Sequence, residues 1–164
     1  MISVKDLVTD QLETTLVKQA WQAQPSLSEA LAGVTAAEAA WKPAPGRHAI
    51  WQIVRHLILW KRGIMQALDG DPPDRAALEQ TDWQETSGDE RAWQTDVDTL
   101  LRLSRDLLER ARAMDDQAFS REVVWYRGWS QTQPVAVRLL RRAAHDSYHV
   151  GQIRFLRALQ KGSR

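Results

Sequence analysis

Apolar residues recur every three or four positions along most of the chain, the spacing that gathers them on one face of an α-helix. No alternation of period two runs long enough to define a strand. A first helix starts after Ser3, a good N-cap residue, and runs to about residue 24. Val4, Leu7, Val8, Leu12, Leu16 and Trp21 form its broad apolar face, and Pro25 stops it. Residues 26 to 47 read as short helical turns that Pro-Ala-Pro-Gly breaks off. A second long helix covers about residues 48 to 68, with a core stripe of Ile50, Ile53, Val54, Leu57, Trp60, Ile64 and Leu68. In the third helix Trp93, Val97, Leu100, Ser104, Leu107, Ala111 and Met114 step by four and three, and the helix ends near residue 115. The fourth begins with Pro134 as its first helical residue, continues to about residue 160, and has Gly162 just beyond its end. The pattern predicts an all-α four-helix bundle in a single domain over residues 1–164, with long loops at residues 69 to 88 and between the last two helices.

Composition narrows the chemistry. The 22 basic and 21 acidic residues leave a net charge of +1, so nothing draws the whole molecule to nucleic acid or to an anionic membrane. Cysteine is absent, which excludes a disulfide framework, a thiolate zinc site, an iron–sulfur cluster and a cysteine nucleophile. Charges interrupt the apolar pairs of the first residues, unlike a signal peptide, and no stretch approaches the roughly 20 apolar residues that span a bilayer. These features predict a cytoplasmic protein with no membrane partner.

Any metal must then be held by His, Asp or Glu, and there are four histidines. His145 and His149 are four apart on the fourth helix, which puts both imidazoles on one face and lets two nitrogens reach one ion. His56 lies at the edge of the apolar stripe of the second helix, near Ala49, Gly63 and Ala67. Those small residues leave room for a pocket, or simply for a neighbouring helix. His48 falls at the start of that helix and reads as a surface residue.

The stretch PGRHAIWQIVRHLILW, the Asp82-Trp83 pair in the long loop, and HDSYHVGQIRFLRAL together resemble the DinB-like (YfiT-like) family, and the likeness runs through almost the whole chain. The resemblance implies a four-helix bundle that binds one divalent metal through His56, His145 and His149. It also implies a homodimer and, in several relatives, thiol-dependent transfer or isomerisation with bacillithiol or mycothiol. Two departures stand out. Relatives usually have Ser or Thr where His48 stands, and they are mostly apolar where this chain has Arg138, Arg141 and Arg142.

Three histidines leave a coordination position open, as in a catalytic site, and imidazole suits Zn, Ni or Fe. No side chain stands out as a general base. Gln152 shares the face of both helix-four histidines and could orient an imidazole or make a helix contact; Tyr148, at the edge of that face, could donate a proton or pack as a core tyrosine. A thiol nucleophile would have to arrive as a low-molecular-weight cosubstrate. At 100° per residue Arg138, Arg141 and Arg142 project within roughly 60° of His145, so Arg142 and Arg138 are candidates to hold an anionic group of a small substrate. The alternative is pairing with acidic residues of the third helix. The reading is a metal-dependent transferase or hydrolase acting on a small anionic molecule. Against it stand a non-catalytic helical module, whose Arg-rich fourth helix contacts nucleic acid or a protein partner, and a vestigial histidine site. Eight tryptophans and a second row of Leu101 and Leu108 on the third helix predict a homodimer.

Overall fold

A computed structural model describes residues 2–17 and 25–162. The long helices are α1 (Val4–Leu16), α4 (Ile50–Leu68), α6 (Glu90–Ala113) and α8 (Val135–Gly162). Short helices α2 (Leu27–Leu31), α3 (Ala36–Ala40), α5 (Arg75–Thr81) and α7 (Asp116–Ser120) fill the connections. β1 (Glu122–Val123) and β2 (Gln133–Pro134) pair antiparallel at the neck of the last loop. α1 packs on α6 and α8, and α4 packs on the same two, so the first two long helices face each other across the bundle.

Local chemistry sets the helix starts. Ser3 and Asp6, Ser26 and Glu29, and Thr35 and Glu38 each exchange hydrogen bonds between side chain and backbone, closing the orphan N–H groups of α1, α2 and α3. α4 has no capping hydroxyl, and the Ala49 N–H donates instead to Gln52 Oε1 at 3.0 Å. His48 precedes it, exposed, with its ring stacked 3.9 Å from that of Trp83.

Several predicted boundaries move. α1 closes at Leu16 with Val17 as its cap, well short of residue 24, and Trp21 lies outside the described residues. Val4 and Leu7 face outward, because only Val8, Leu12 and Leu16 meet α6 and α8. Pro134 belongs to β2, and the Val135 N–H donates to the Arg121 carbonyl, so α8 starts one residue later than predicted. Gly162 sits inside the last turn of α8 rather than beyond it. On α6 the seam from Trp93 to Ala111 is buried as predicted.

The interior has two apolar clusters. One gathers α2, α3, the first half of α4, Trp93 to Leu103, and Val150, Ile153 and Leu156. The other gathers α1, Ile64 to Leu68, Leu107 to Ala111, Phe119, Trp125, Tyr126 and the first turns of α8. Between them runs a polar layer: Lys61 on α4, Ser104 on α6, and Arg142 and Asp146 on α8, all buried. The Lys61 ammonium donates to Asp146 Oδ2, and Arg142 Nε lies 3.1 Å from Asp146 Oδ1. Two buried cations thus share one carboxylate. No described helix is long and apolar enough to cross a membrane.

Candidate metal centre

The polar layer continues sideways into the three histidines. His56 comes from the middle of α4, His145 and His149 from successive turns of α8. Their ligand nitrogens all lie within 4.8 Å of one another. His145 Nε2 is 3.2 Å from His56 Nε2 and 3.2 Å from His149 Nε2. His56 and His149 are buried and His145 is half-buried. The cluster that the spacing and the resemblance point to is therefore assembled.

The partners of the outer ring nitrogens decide whether the set fits a cation. Asp82 accepts from His56 Nδ1 at 2.8 Å and from the Trp60 indole N–H at 2.8 Å. A carboxylate accepts only, so the His56 proton sits on Nδ1 and the Nε2 lone pair faces the cluster. Gln152 Oε1 accepts from His149 Nδ1 at 2.7 Å with the same result. Burial, reinforced by neighbouring His56, pulls the His149 pKa down to about 4. Burial lowers His56 as well, against the opposing pull of Asp82. Both rings are neutral at pH 7 and able to ligate. His145 differs, since the Arg142 guanidinium donates to its Nδ1. As placed, its proton is on Nε2, toward the other two rings, so holding an ion there would require Arg142 to release Nδ1 and that nitrogen to take up a proton. Two preset lone pairs and a third imidazole that can switch tautomer fit a single divalent ion.

The loop between α4 and α6 completes the site. Trp83 stacks on His56 with ring centroids 4.2 Å apart, so it lines the histidines. It has a φ of 58°, and it is the one non-glycine residue in the left-handed region among the described residues. Gln52, buried in α4, donates to the Trp83 and Gln84 carbonyls and pins this turn. Gly63 lets the same loop approach: a Cβ there would lie 3.2 Å from Leu78 Cδ1 and 3.4 Å from Pro73 Cγ. Gly63 thus makes room for α5 and the start of its loop. The last loop is clasped to this one. The Arg127 N–H donates to the Pro73 carbonyl at 2.9 Å, and Arg75 lies over the Tyr126 and Trp129 rings.

A cavity of about 330 Å³ opens beside the histidines, lined by His56, Trp60, Ile64, Tyr126, Arg138, Arg141, Arg142 and His145. All three arginines reach it, and among the described residues none of them pairs with an acidic residue of α6. Arg142 is drawn inward to Asp146 and His145. Arg138 donates to the Tyr126 hydroxyl, and Arg141 is exposed at the rim. Gln152 orients an imidazole. Tyr148 is 63% exposed, its hydroxyl accepting from Gln152 at 2.9 Å, and is not a core tyrosine. Sequence reasoning gave no role to Asp82, Lys61 or Asp146. A lysine inside the apolar stripe of α4 and an aspartate between two histidines were the available signals.

The fold has a parallel among known proteins. Comparison with curated proteins finds none that matches. The solved structure of YfiT from Bacillus subtilis is similar, with a TM-score of 0.62 and 18% identity over 93% of this chain and 85% of that chain. It is described as "a probable metal-dependent hydrolase with an unusual four-helix bundle topology". The sequence matches the DinB superfamily over residues 19–153, most of its length, and the chain belongs to that family.

Proposed function

We propose that this protein is a metal-dependent hydrolase of small anionic molecules, with one divalent ion held by His56, His145 and His149. The observation that carries the reading is the convergence of three imidazoles, two of them fixed by Asp82 and Gln152 with Nε2 toward one point. When bound there, a divalent ion supplies Lewis-acid polarisation of a carbonyl and acidifies a coordinated water or thiol. The chain's own groups do the rest. Asp82 and Gln152 hold the rings, Trp83 and Trp60 shield them from bulk water, and the arginine-lined cavity orients an anion. Thiol-dependent transfer is the second reading. With no cysteine in the chain, the thiol would be a cosubstrate such as bacillithiol or mycothiol. Zinc or nickel is the preferred ion, iron the next.

Protein purified from a cytoplasmic extract without an affinity tag should carry close to one divalent ion per chain. It should hydrolyse some member of a panel of carboxylate-bearing esters and amides, lose that activity to a chelator and regain it with metal. Turnover only when a small thiol is added would favour the second reading. A native protein that neither carries nor takes up metal overturns both.

We also propose a homodimer, on a basis other than the leucines predicted for it. Leu108 is buried and Leu101 half-buried, both packed into the core. Among the described residues α8 leaves the longest exposed apolar row, Val137, Leu140, Tyr148, Phe155 and Leu159, with Phe155 at 65% exposure, while Ile2, Val4, Leu7 and Val17 are exposed at the other end of the chain. A stable pair should bury at least about 1,000 Å² in total. Light scattering at micromolar concentration should give twice the 18.7 kDa chain mass, and Phe155→Glu should halve it. A monomer mass for the unaltered protein sinks this assignment. Contact of α8 with nucleic acid is the less favoured role for its basic residues, given the near-zero net charge.

A further inference from the structure

The cavity beside the histidines is asymmetric in its charge. His56 and His145 close one end, Trp60, Ile64 and Tyr126 supply aromatic and apolar wall, and three arginines come from α8. The carboxylates that reach this region are already engaged. Asp82 accepts from His56, Trp60 and its own neighbour Trp83, and Asp146 is shared by Lys61 and Arg142. Arg142 is therefore neutralised in part and turned to the interior.

Arg138 is not. Its guanidinium lies 5.5 Å from the centre of the Trp125 ring and 5.0 Å from that of Tyr126, and it donates to the Tyr126 hydroxyl. No carboxylate pairs with it among the described residues, and its Nε is buried without a hydrogen-bond partner. Among the charged groups that act on it are Arg142 and Arg141, which repel it. A half-buried guanidinium between aromatic faces, with an unused donor, lacks the anion that would complete it.

We propose that Arg138, braced by the Tyr126 hydroxyl, selects the substrate by gripping its carboxylate, and that the substrate is a small elongated carboxylic acid with an aryl or branched apolar body. The inference rests on the hydrolase reading above for the reacting end, and on Arg138 alone for the anionic end. A single half-buried unpaired fork, with Arg141 exposed at the rim, matches a carboxylate. A phosphate dianion would call for a second buried cation, and Lys61 and Arg142 are both tied to Asp146. Arg138 and His145 stand seven residues apart on one helix, about 10 Å of rise. Carboxylate and reacting carbonyl therefore occupy opposite ends of the molecule and not adjacent carbons. The aromatic wall between them receives the body.

The test uses 3-phenylpropionate and its neutral counterpart 3-phenylpropionamide, titrated by calorimetry into zinc-loaded and metal-free protein. The acid should bind about tenfold or more tightly than the amide, the size expected of one charge-assisted contact. Arg138→Gln should erase that preference, weakening the acid and leaving the amide unchanged. Arg138→Lys should keep part of it. Should Arg138→Gln fail to fold, Tyr126→Phe and Arg138→Lys decide, since each should weaken the acid alone. The preference should persist in metal-free protein. Acid binding that survives in Arg138→Gln but disappears with the metal would place the carboxylate on the ion and overturn the proposal, as would equal affinity for acid and amide. A protein that takes up no zinc would refute the hydrolase reading, while the metal-free titrations still decide the role of Arg138.

Discussion

Asp146→Asn is expected to destabilise the protein by about 3–5 kcal/mol, the cost of leaving buried charge without its partner. The side chains of Lys61 and Asp146 are 2% and 5% exposed, and that of Arg142 is 5% exposed. Removing the one carboxylate strands two cations in the layer between the apolar clusters. For a chain of this length the melting temperature should fall by roughly 6–20 °C. Lys61→Met should cost much less, because Arg142 still neutralises Asp146 and methionine fills a similar volume. Urea and thermal unfolding of the two variants give the ranking. A larger loss in Lys61→Met than in Asp146→Asn would mean that Arg142 does not count as a partner of Asp146.

His149→Ala is expected to weaken zinc binding on the order of a thousandfold, if a total near 10–16 kcal/mol is shared among the ligands. His56→Ala and His145→Ala should behave alike. Asp82→Asn should cost less, about 10–100-fold, since it removes only the group that fixes the His56 tautomer. Competition against a chromophoric chelator measures all four. With its pKa held down to about 4, His149 should not lose metal to protons until the pH falls toward that value. Unaltered affinity in His149→Ala would remove the site. Equal losses in His149→Ala and Asp82→Asn would make Asp82 a ligand and not an orienting group.

Much of this was legible in the chain, for reasons that differ by residue. His145 and His149 share a face through helical periodicity alone, because α8 is regular at that point. His56 entered the set through a family resemblance, and only the packing of α4 on α8 brings it within reach. Asp82 could not be assigned from spacing. Its contact with His56 spans 26 positions through a loop whose path depends on Trp83 and Gln52. Arg138 and Arg142 project to nearly the same face by angle, yet end in different places. The difference lies in Asp146, which sits one residue past His145 and draws Arg142 inward. Helix ends shifted where tertiary pairing intervened, as at Pro134, which the ladder with Glu122 claims before α8 begins. The outward turn of Val4 and Leu7 follows from which neighbours α1 meets, and an apolar face does not contain that information.

Trp83 pays a conformational penalty of order 1 kcal/mol for its left-handed backbone, and it is held there by two hydrogen bonds from Gln52 and by its stack on His56. The loop is thus a loaded spring whose catch is the buried amide of α4. Loss of that amide, as in Gln52→Ala, is expected to loosen Asp82 along with Trp83, because the two residues are adjacent in the chain and the Trp83 N–H is itself bonded to the Asp82 carboxylate. The tautomer of one ring and the path of the loop are therefore tied to one side chain, Gln52, which touches no histidine nitrogen.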